Sequence, residues 1–455
     1  MKSKHVAVIG AGITGLTAAY RLSELGHNVE VFEASTRVGG SIKTESFGAA
    51  RVDIGPSGVL ASRQSVLELV RDLGLDSEWL SASPTSNRRY IFYKGKLNEV
   101  PTSPPKLLTS SWIPLSAKWR FVTEFFRRKR RASEPESLHA LIDRRLGAFV
   151  ADVMVDAMVS GVHAAPAKSL EAMAAFPILP TLEREHGSLL RGLIHLQKSR
   201  RKELPQHATT LKGMLNLRGG LETLPKALEA RLDKIHLETP VHAIKSLQDD
   251  RWKVEHQAGV CEFDEVILCI PAPHAARCIS GQSAELANLL ERVEYTPLGN
   301  VILHYNEEIE TPPGFGYLSP GIEGRPILGC LFLNQIFPEL IPANATVLRA
   351  FVGGQRAAEQ LALDDESLVK VVTDELEFIL DKKLPRPQRV QVLRWPTSLA
   401  FYQPGTTKHW EEVEDLVSGL PGLHLGGNWI GGASVAECIT RANTLVSRIT
   451  SSTEP

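Results

Sequence analysis

The chain has 455 residues, a length that suggests about three domains, and its 43% hydrophobic and 23% charged residues are typical of a folded protein rather than a disordered one. Its formal net charge of −1 lacks the strong basic excess of a general nucleic-acid binder, so no nucleic-acid partner is expected. Five cysteines without a CxxC pair disfavour a disulfide framework or a zinc site and indicate a reducing, cytoplasmic compartment.

The opening of the chain predicts a dinucleotide-binding βαβ unit. After a start that lacks the pattern of a secretory signal, an apolar strand at 5–9 leads into Gly10, Gly12 and Gly15, an apolar helix, and a second strand that ends at Glu33. Gly10 permits the tight turn, Gly12 lets the backbone approach a pyrophosphate, and Gly15 lets the helix pack closely on the strand. Glu33 has the spacing of an acid that accepts hydrogen bonds from a ribose hydroxyl. A glycine turn in some other α/β fold is the alternative.

The residues after Glu33 help to distinguish FAD from NAD as the bound dinucleotide. Arg37 and Gly40 complete an E-x-x-x-R-x-G-G continuation, and a D-x-G-x segment follows around Gly55. NAD-binding domains do not need these residues. The continuation resembles that of the large amine-oxidase-like flavoprotein group, where it wraps the adenosine and pyrophosphate of FAD. FAD is therefore the predicted cofactor, although GxGxxG by itself leaves NAD open.

The remaining elements alternate between helical and strand patterns. No apolar run is long enough for a transmembrane helix. Apolar spacing predicts helices at 64–73 and 366–380 and a mostly helical stretch over 101–206 with proline-rich joints. Strands are predicted at 89–93, 235–238, 241–247, 252–256, 262–270, 301–305, 316–318, 327–333, 348–352, 389–395 and 423–425.

The end of the chain repeats the form of its beginning. The strand at 423–425 runs into a glycine-rich turn at 426–432 and a helix at 435–449. A second glycine-rich helix N-terminus could close over the flavin or its pyrophosphate, and an ordinary strand-to-helix turn is the alternative. If both chain ends build one cofactor site, the other domains must be inserted between them.

Several longer segments resemble the protoporphyrinogen/coproporphyrinogen oxidase family, which uses FAD to aromatise porphyrinogens in haem biosynthesis. The resemblance covers nearly the whole chain and is carried by 89–101, 160–170, 175–177, 185–188, 218–224, 314–318 and 427–439. Three places depart from the family pattern. His163 and the Ala165-Pro166 pair replace the usual Tyr and Gly-Asp, Leu399-Ala-Phe-Tyr402 replaces Ile-Pro-Gln-Tyr, and Gly405-Thr406 replaces Gly-His. These departures concern the shape of the pocket more than the reaction.

The resemblance implies an α/β fold with three interleaved domains. A Rossmann-like FAD domain of the p-hydroxybenzoate-hydroxylase type would comprise 1–74, 208–280 and 406–455. A mixed-sheet substrate domain would comprise 75–97 and 281–405, and a helical, membrane-facing domain would comprise 98–207.

The predicted cofactor contacts combine the motifs with this resemblance. By position in the family, Val241 would meet the adenine, Trp395 would lie near the flavin, and the C-terminal helix would cap it. The predicted FAD contacts are Gly10, Ala11, Gly12, Gly15, Leu16, Glu33, Ala34, Arg37, Gly40, Ser41, Gly55, Pro56, Ser57, Gly58, Val241, Trp395, Gly427, Asn428, Ala433, Ser434 and Val435.

The predicted substrate contacts suit a large apolar ring with carboxylates at its rim. The resemblance assigns Arg89 to a propionate, Gly161 to a backbone contact, and Leu318 and Phe351 to an apolar clamp. The planar guanidinium of arginine can hold both oxygens of a carboxylate, whereas the alternative for Arg89 is a surface arginine on an edge strand. No residue pair is a clear general base, because an isolated histidine such as His163 is more often structural. No metal site is predicted.

The segment between 106 and 131 is strongly basic, although the net charge of the whole chain is close to zero. It carries eight basic residues and one acid, with Trp112, Trp119, Phe121, Phe125 and Phe126 interleaved. A basic amphipathic helix with aromatics is typical of proteins that bind a membrane surface, and a solvated helix face is the alternative. We therefore expect peripheral attachment to an anionic, cytoplasmic membrane face.

The predicted function is FAD-dependent, six-electron oxidation of protoporphyrinogen IX or coproporphyrinogen III to the porphyrin, with oxygen as acceptor. Another flavin amine oxidase or desaturase, and a non-catalytic flavin-binding protein of haem assembly, are the alternatives. A homodimer and neighbouring enzymes of haem biosynthesis are further predicted partners.

Overall fold

The computed structural model describes residues 3–130, 134–203 and 211–451, which form α-helices and β-strands throughout. The α-helices are α1 Ile13–Glu24, α2 Gln64–Asp72, α3 Pro104–Thr109, α4 Leu115–Thr123, α5 Leu138–Leu146, α6 Asp156–His163, α7 Ala172–Ala175, α8 Ile178–His186, α9 Leu189–Glu203, α10 Thr223–Glu229, α11 Ala272–Ile279, α12 Ala284–Glu291, α13 Leu333–Ile336, α14 Asp365–Leu380, α15 Thr406–Ser418 and α16 Val435–Ser451. The strands are β1 His5–Ile9, β2 Asn28–Phe32, β3 Thr44–Phe47, β4 Ala50–Asp53, β5 Val59–Leu60, β6 Trp79–Ser81, β7 Tyr90–Tyr93, β8 Lys96–Glu99, β9 Met214–Leu217, β10 Ile235–His236, β11 Val241–Ser246, β12 Trp252–His256, β13 Gly259–Phe263, β14 Glu265–Leu268, β15 Tyr295–Tyr305, β16 Gly316–Leu318, β17 Ile327–Phe332, β18 Thr346–Gly353, β19 Arg389–Ala400 and β20 Leu423–Leu425.

The chain divides into two compact units, and both are discontinuous in sequence. The first comprises Met1–Ala82, Leu211–Glu294 and Lys408–Pro455, and the second comprises Ser83–Thr210 and Tyr295–Thr407. Both chain ends therefore belong to one unit. The finer division into three domains stays a prediction.

A five-stranded parallel sheet organises the first unit. Its strand order is β10-β2-β1-β14-β20, and the order reverses direction on either side of β1 as in a Rossmann-like fold. The helices α1, α2 and α16 pack in one hydrophobic core with the central strands. Smaller sheets, with the orders β11-β12-β13, β3-β4 and β5-β9-β6, complete the unit. The predicted α/β fold with a Rossmann-like domain is confirmed.

A seven-stranded mixed sheet organises the second unit, in the order β19-β15-β18-β17-β16-β7-β8. One face packs on α14, whose Leu368, Val372 and Leu376 join the strands in a hydrophobic core. On the other face, Ile91 of β7 packs with Val153 and Ala157 of the helical segment. The mostly helical pattern predicted for 101–206 is confirmed for the described residues, which include a π-helix at Val150–Val155.

One predicted strand is wrong, because the segment at 262–270 forms parts of two strands rather than one. Asp264 separates β13 from β14. Its carboxylate accepts a hydrogen bond from the backbone N–H of His5 at 2.7 Å, and its own N–H donates to the carbonyl oxygen of His5 at 2.8 Å. This exchange turns the chain from an antiparallel strand into the parallel sheet, and the local sequence carries no sign of such a long-range contact.

Candidate cofactor and substrate sites

Two of the first three glycines stand where no larger residue fits. Gly10 has a φ of +102°, and a Cβ there would stand 2.6 Å from the carbonyl oxygen of Cys269. A Cβ on Gly15 would stand 2.0 Å from the carbonyl oxygen of Gly10. Gly12 is different, since a Cβ there would meet nothing within 4 Å. Gly10 and Gly15 are thus required by packing, whereas Gly12 keeps space open.

That open space lies at the N-terminus of α1. Gly12 is the N-cap residue of the helix, and no described side chain caps it. The first turn of a helix presents backbone N–H donors and the positive end of the helix dipole, which together bind phosphate groups. Leu16 lies fully buried in the core one turn further on. The geometry fits a pyrophosphate beside Gly12.

Glu33 connects the glycine turn to the end of β2. One carboxylate oxygen accepts a hydrogen bond from the backbone N–H of Ala11 at 2.7 Å, and the other accepts from the backbone N–H and the hydroxyl of Ser35 at 2.9 and 2.8 Å. A carboxylate offers about four acceptor positions, so Glu33 retains capacity for a ribose hydroxyl. Ala34, the next residue, is exposed beside it. The ribose contact itself stays a prediction.

Arg37 organises its own loop. Its guanidinium donates hydrogen bonds to the carbonyl oxygens of Val38, Ile42 and Gly40 at 2.9, 3.1 and 2.6 Å. The same loop returns to the glycine turn, because a Cβ on Gly40 would stand 3.3 Å from the Cα of Gly12. Arg37 therefore shapes the loop beside the glycine turn, and its contact with a cofactor stays a prediction.

A second glycine segment packs against this loop. A Cβ on Gly55 would stand 1.8 Å from the carbonyl oxygen of Ser41, and one on Gly58 would stand 2.8 Å from the carbonyl oxygen of Leu215. Between them lie Pro56 and Ser57, which are partly exposed. The predicted residues 41 and 55–58 are thus brought together through backbone contacts.

Asp53 is a residue of this region whose role the motifs did not reveal. Its buried carboxylate accepts hydrogen bonds from the hydroxyl of Thr44 at 2.6 Å, the side-chain amide of Asn216 at 2.7 Å and the backbone N–H of Leu221 at 3.0 Å. It joins β4 to β9 and to the Gly219-Gly220 turn, more than 160 residues away. The sequence shows the acid of the D-x-G-x segment, but it does not show which residues bond to that acid.

The C-terminal glycine turn lies next to the N-terminal one. A Cβ on Gly426 would stand 3.0 Å from Cys269 Sγ and 3.1 Å from Thr14 Cγ2 of α1. Gly427 has a φ of +125°, and the indole of Trp429, on the far side of Asn428, donates to the carbonyl oxygen of Ile270 at 2.8 Å. Both glycine turns therefore lie side by side in the first unit.

The start of α16 is a capping box. The hydroxyl of Ser434 accepts a hydrogen bond from the backbone N–H of Glu437 at 3.2 Å, and the Glu437 carboxylate accepts from the Ser434 backbone N–H at 3.1 Å. Ala433 precedes this cap, and Val435, the first helical residue, is buried in the core. Ser434 thus has a structural role, and the contact of these three residues with a flavin stays a prediction.

The two cysteines beside the turns are packing residues. Burial raises the pKa of the Cys269 thiol to about 12 and that of Cys438 to about 11. Both thiols are therefore protonated near neutral pH and poor nucleophiles.

Two further predicted contacts lie apart from the glycine turns. Val241 begins β11 shortly after Thr239, whose backbone N–H donates to the carbonyl oxygen of Glu33 at 2.8 Å. Its proximity to the predicted ribose position favours the adenine role. Trp395 pairs with Leu298 in the sheet of the second unit, and its contact with the flavin stays a prediction.

The predicted substrate residues of the second unit form a row across its sheet. Leu318 of β16 pairs with Gly329 of β17, and Gly329 pairs with Phe351 of β18. Directly paired residues share one face of a sheet. A Cβ on Gly161, from α6, would stand 2.8 Å from Leu318 Cδ2. The structure therefore brings Gly161, Leu318 and Phe351 together, with no side chain at Gly329 between them.

Arg89 lies immediately before β7 rather than within it, and it is exposed. Its guanidinium sits over the ring of Phe315, 4.9 Å from the centroid, and within the described chain it forms no ion pair. The neighbouring Arg88 differs, because it pairs with Glu99 at 2.8 Å. Arg89 is thus a cation that stacks on an aromatic ring, and no acidic side chain of the described residues pairs with it.

The two histidines of the family-like segments are packed against other rings. His163 is buried, with ring centroids of Phe176 and Tyr402 at 5.4 and 5.5 Å. His186 lies 4.7 Å from the ring of His195. In the described part of the chain, no group of three or more His, Cys, Asp or Glu residues could hold a metal ion.

The basic segment presents apolar side chains to solvent. Leu115, Trp119 and Phe126, in and after α4, are 80%, 69% and 83% exposed. Trp112, in contrast, packs inward and donates from its indole N–H to the carbonyl oxygen of Glu99 at 3.1 Å. None of the described helices is both long and apolar enough to cross a membrane. Arg131 lies outside the described residues.

Comparison with known proteins places the chain in a family. Residues 13–449 match the family described as flavin containing amine oxidoreductase, and the chain belongs to it. It is 30% identical to protoporphyrinogen oxidase 2, chloroplastic/mitochondrial, of Arabidopsis thaliana, over 96% of this chain and 92% of that one. It is 29% identical to coproporphyrinogen III oxidase of Bacillus subtilis (strain 168), over 98% and 97% of the two chains.

Solved structures agree with this placement. A candidate protoporphyrinogen oxidase from Exiguobacterium sp. 255-15 matches with a TM-score of 0.82 and 26% identity, over 99% of this chain and 100% of that one. A putrescine oxidase bound to putrescine matches with a TM-score of 0.74 at 17% identity, which shows a shared fold alone. The protein is thus a flavin-dependent oxidoreductase, and the predicted FAD cofactor is confirmed. The glycine turns described above fit its pyrophosphate.

Proposed function

We propose that this protein oxidises a porphyrinogen to the corresponding porphyrin. The observation that carries the proposal is the row of Leu318, Gly329 and Phe351, which offers an apolar surface on which the Leu318 side chain lies against Gly329. A large apolar ring needs such a face together with a few cations at its rim. The relatives named protoporphyrinogen oxidase and coproporphyrinogen III oxidase support the same substrate class.

Each predicted substrate residue has a physical task in this reaction. Bound FAD supplies the acceptor for the hydride lost from a ring carbon. Leu318 and Phe351 hold the macrocycle by apolar contact and exclude water from its faces. Arg89, free of an acidic partner, binds a propionate and sets the orientation of the ring. The proton released with each hydride passes to solvent.

The reaction is tested with reduced substrates and a flavin readout. The purified, FAD-loaded protein is mixed anaerobically with protoporphyrinogen IX, with coproporphyrinogen III and, as a control, with putrescine. We expect both porphyrinogens to bleach the flavin absorbance, porphyrin fluorescence to appear, and oxygen to restore the flavin. Bleaching by putrescine alone would establish an amine oxidase instead. Flavin that neither porphyrinogen reduces would favour a non-catalytic protein. The ratio of kcat/KM for the two porphyrinogens identifies the preferred substrate.

We also propose that the segment around α4 attaches the protein to an anionic membrane. Five of its basic side chains have no acidic partner among the described residues: Lys106, Lys118, Arg120, Arg128 and Lys129. The exposed Trp119 and Phe126 lie in the same segment. Apolar insertion and attraction to anionic lipid act together in such segments.

Liposome flotation tests this attachment. We expect binding to vesicles that contain phosphatidylserine, with binding lowered by salt. The double variant R128Q/K129Q and the double variant W119A/F126A should each weaken it several-fold, whereas the control K245Q/R386Q, which removes two exposed charges elsewhere, should not. Equal flotation of all variants would contradict the proposal. A homodimer and contacts with neighbouring enzymes of haem biosynthesis stay predictions.

A further inference from the structure

Asp156 joins three segments of the second unit through one buried carboxylate. One oxygen accepts a hydrogen bond from the backbone N–H of Ala167 at 3.0 Å. The other accepts from the backbone N–H of Gly321 at 2.8 Å and lies 3.5 Å from Nη1 of Arg356. Asp156 begins α6, so the carboxylate ties the start of this helix to the turn after β16 and to the segment after β18.

Arg356 completes the connection from the other side. Its guanidinium donates to the carbonyl oxygen of Ser319 at 2.9 Å, and its side chain is 17% exposed. Burial lowers the pKa of Arg356, and the carboxylate of Asp156 opposes that effect. A Cβ on Gly321 would stand 3.1 Å from Arg356 Nη1 and 3.2 Å from Asp156 Oδ2. The turn is therefore packed directly onto the ion pair.

This ion pair lies next to the predicted substrate contacts. Ser319 follows Leu318 in the chain, and Gly161 lies on the same helix as Asp156. The C-terminal end of α6 is held by the same segment, because the backbone N–H of Gln355 donates to the carbonyl oxygen of Ala164 at 2.8 Å. Helix and strand are thus attached on both sides of the contact between Gly161 and Leu318.

We propose that Asp156 and Arg356 are positioning residues, which hold α6 against the end of β16 and so keep Leu318 packed on Gly161 in the apolar face that meets the porphyrinogen ring. The inference rests on the proposed function. Neither residue touches the ring. Loss of the ion pair lets α6 and the turn separate, which weakens the grip on an apolar ligand and leaves the FAD site of the first unit unchanged.

The test compares porphyrin binding with hydrogen exchange at the backbone amides that Asp156 holds. The probes are protoporphyrin IX and coproporphyrin III, whose Kd is measured by fluorescence titration on the FAD-loaded protein. The variants are D156N, R356M and the conservative R356K. The control is E375Q, which breaks another buried pair: Arg325 Nε donates to Glu375 at 2.8 Å, on the face of the same sheet that packs on α14. Hydrogen exchange is followed at the amides of Ala167 and Gly321.

We expect D156N and R356M to raise the porphyrin Kd and the porphyrinogen KM about ten-fold, with kcat and the FAD content unchanged and faster exchange at both amides. R356K should restore most of the affinity. E375Q should lower Tm about as much as D156N does, but it should leave the porphyrin Kd unchanged. Should D156N fail to fold, R356M and R356K carry the same comparison. If D156N and R356M show faster amide exchange but bind porphyrin with the wild-type Kd, the inference is overturned and the proposed function still stands. A wild-type protein that binds no porphyrin overturns the proposed function as well.

Discussion

Gly15 lies so close to Gly10 that a Cβ on Gly15 would stand 2.0 Å from the Gly10 carbonyl oxygen. This contact, between the first turn of α1 and the end of β1, brings the helix N-terminus to the place where a phosphate binds. Gly12 lies between them in sequence and has no such neighbour. The two glycines of one motif therefore serve different physical purposes, and they can be separated by substitution.

We predict that G15A and G12A fail in different ways. G15A should lower Tm of the apo-protein by several degrees and abolish FAD binding, because the helix must move away from the strand. G12A should leave the apo-protein Tm unchanged and raise the Kd for FAD at least ten-fold, since the methyl group enters the open space. Differential scanning calorimetry and flavin titration measure the two effects. Equal loss of Tm in both variants would contradict this assignment.

We predict that D53N lowers the free energy of unfolding by about 1–3 kcal/mol, as expected when a buried acceptor is replaced by a group with a misplaced donor. The new amide N–H groups would face donors from Asn216 and Leu221. Urea unfolding with intrinsic fluorescence measures the change. The exposed acid Asp249 gives the matched control, since D249N should shift the urea midpoint very little.

We predict that R89L raises KM for a porphyrinogen about ten-fold or more with a smaller change in kcat, because the propionate loses its cation. R89K should keep part of the affinity, since lysine keeps the charge and loses the planar fork. The adjacent R88L is the control: Arg88 is already paired with Glu99. Steady-state kinetics of the three variants decide the point, and an unchanged KM in R89L would remove Arg89 from the substrate site.

We predict that His27 lowers stability in mild acid. Its Nδ1 accepts a hydrogen bond from the backbone N–H of Lys4 at 3.1 Å, which requires the neutral ring at that nitrogen. Burial, aided by the Lys4 charge, lowers the pKa of His27 in the folded state. The unfolded chain therefore binds a proton first as the pH falls through about 6.5, and the free energy of unfolding falls with it.

The variant H27Q tests this linkage, because glutamine does not titrate. We expect a smaller loss of unfolding free energy between about pH 7 and pH 5 than in the wild type. Urea unfolding at each pH provides the measurement. A steeper slope in H27Q would show that the sign is wrong.

Much of the first unit could be predicted from short stretches of sequence. The strand, glycine turn and helix at 5–24, Glu33 at the end of β2, and the strand–turn–helix at the C-terminus are all local patterns. Their spacing follows from the geometry of one turn and one helix, so neighbouring residues suffice to recognise them. The helical stretch before 206 and α14 were predicted for the same reason.

Only the tertiary structure showed the contacts that join distant parts of the chain. The role of Asp53 depends on Asn216 and Leu221, and the role of Asp156 depends on Gly321 and Arg356. The side chains that face one another across a sheet are set by strand order and register, which a single strand does not contain. The pairing of Leu318 with Gly329 and of Gly329 with Phe351 is the clearest case.

The sequence by itself determined that the protein binds a dinucleotide and that FAD is the expected one, because phosphate recognition needs only a tight turn and a helix N-terminus that are contiguous in the chain. The tertiary structure decided which residues stand together on the proposed substrate face. That arrangement brings α6, β16, β17 and β18 together from separate segments, and long-range pairing, rather than local conformation, sets the distances between them.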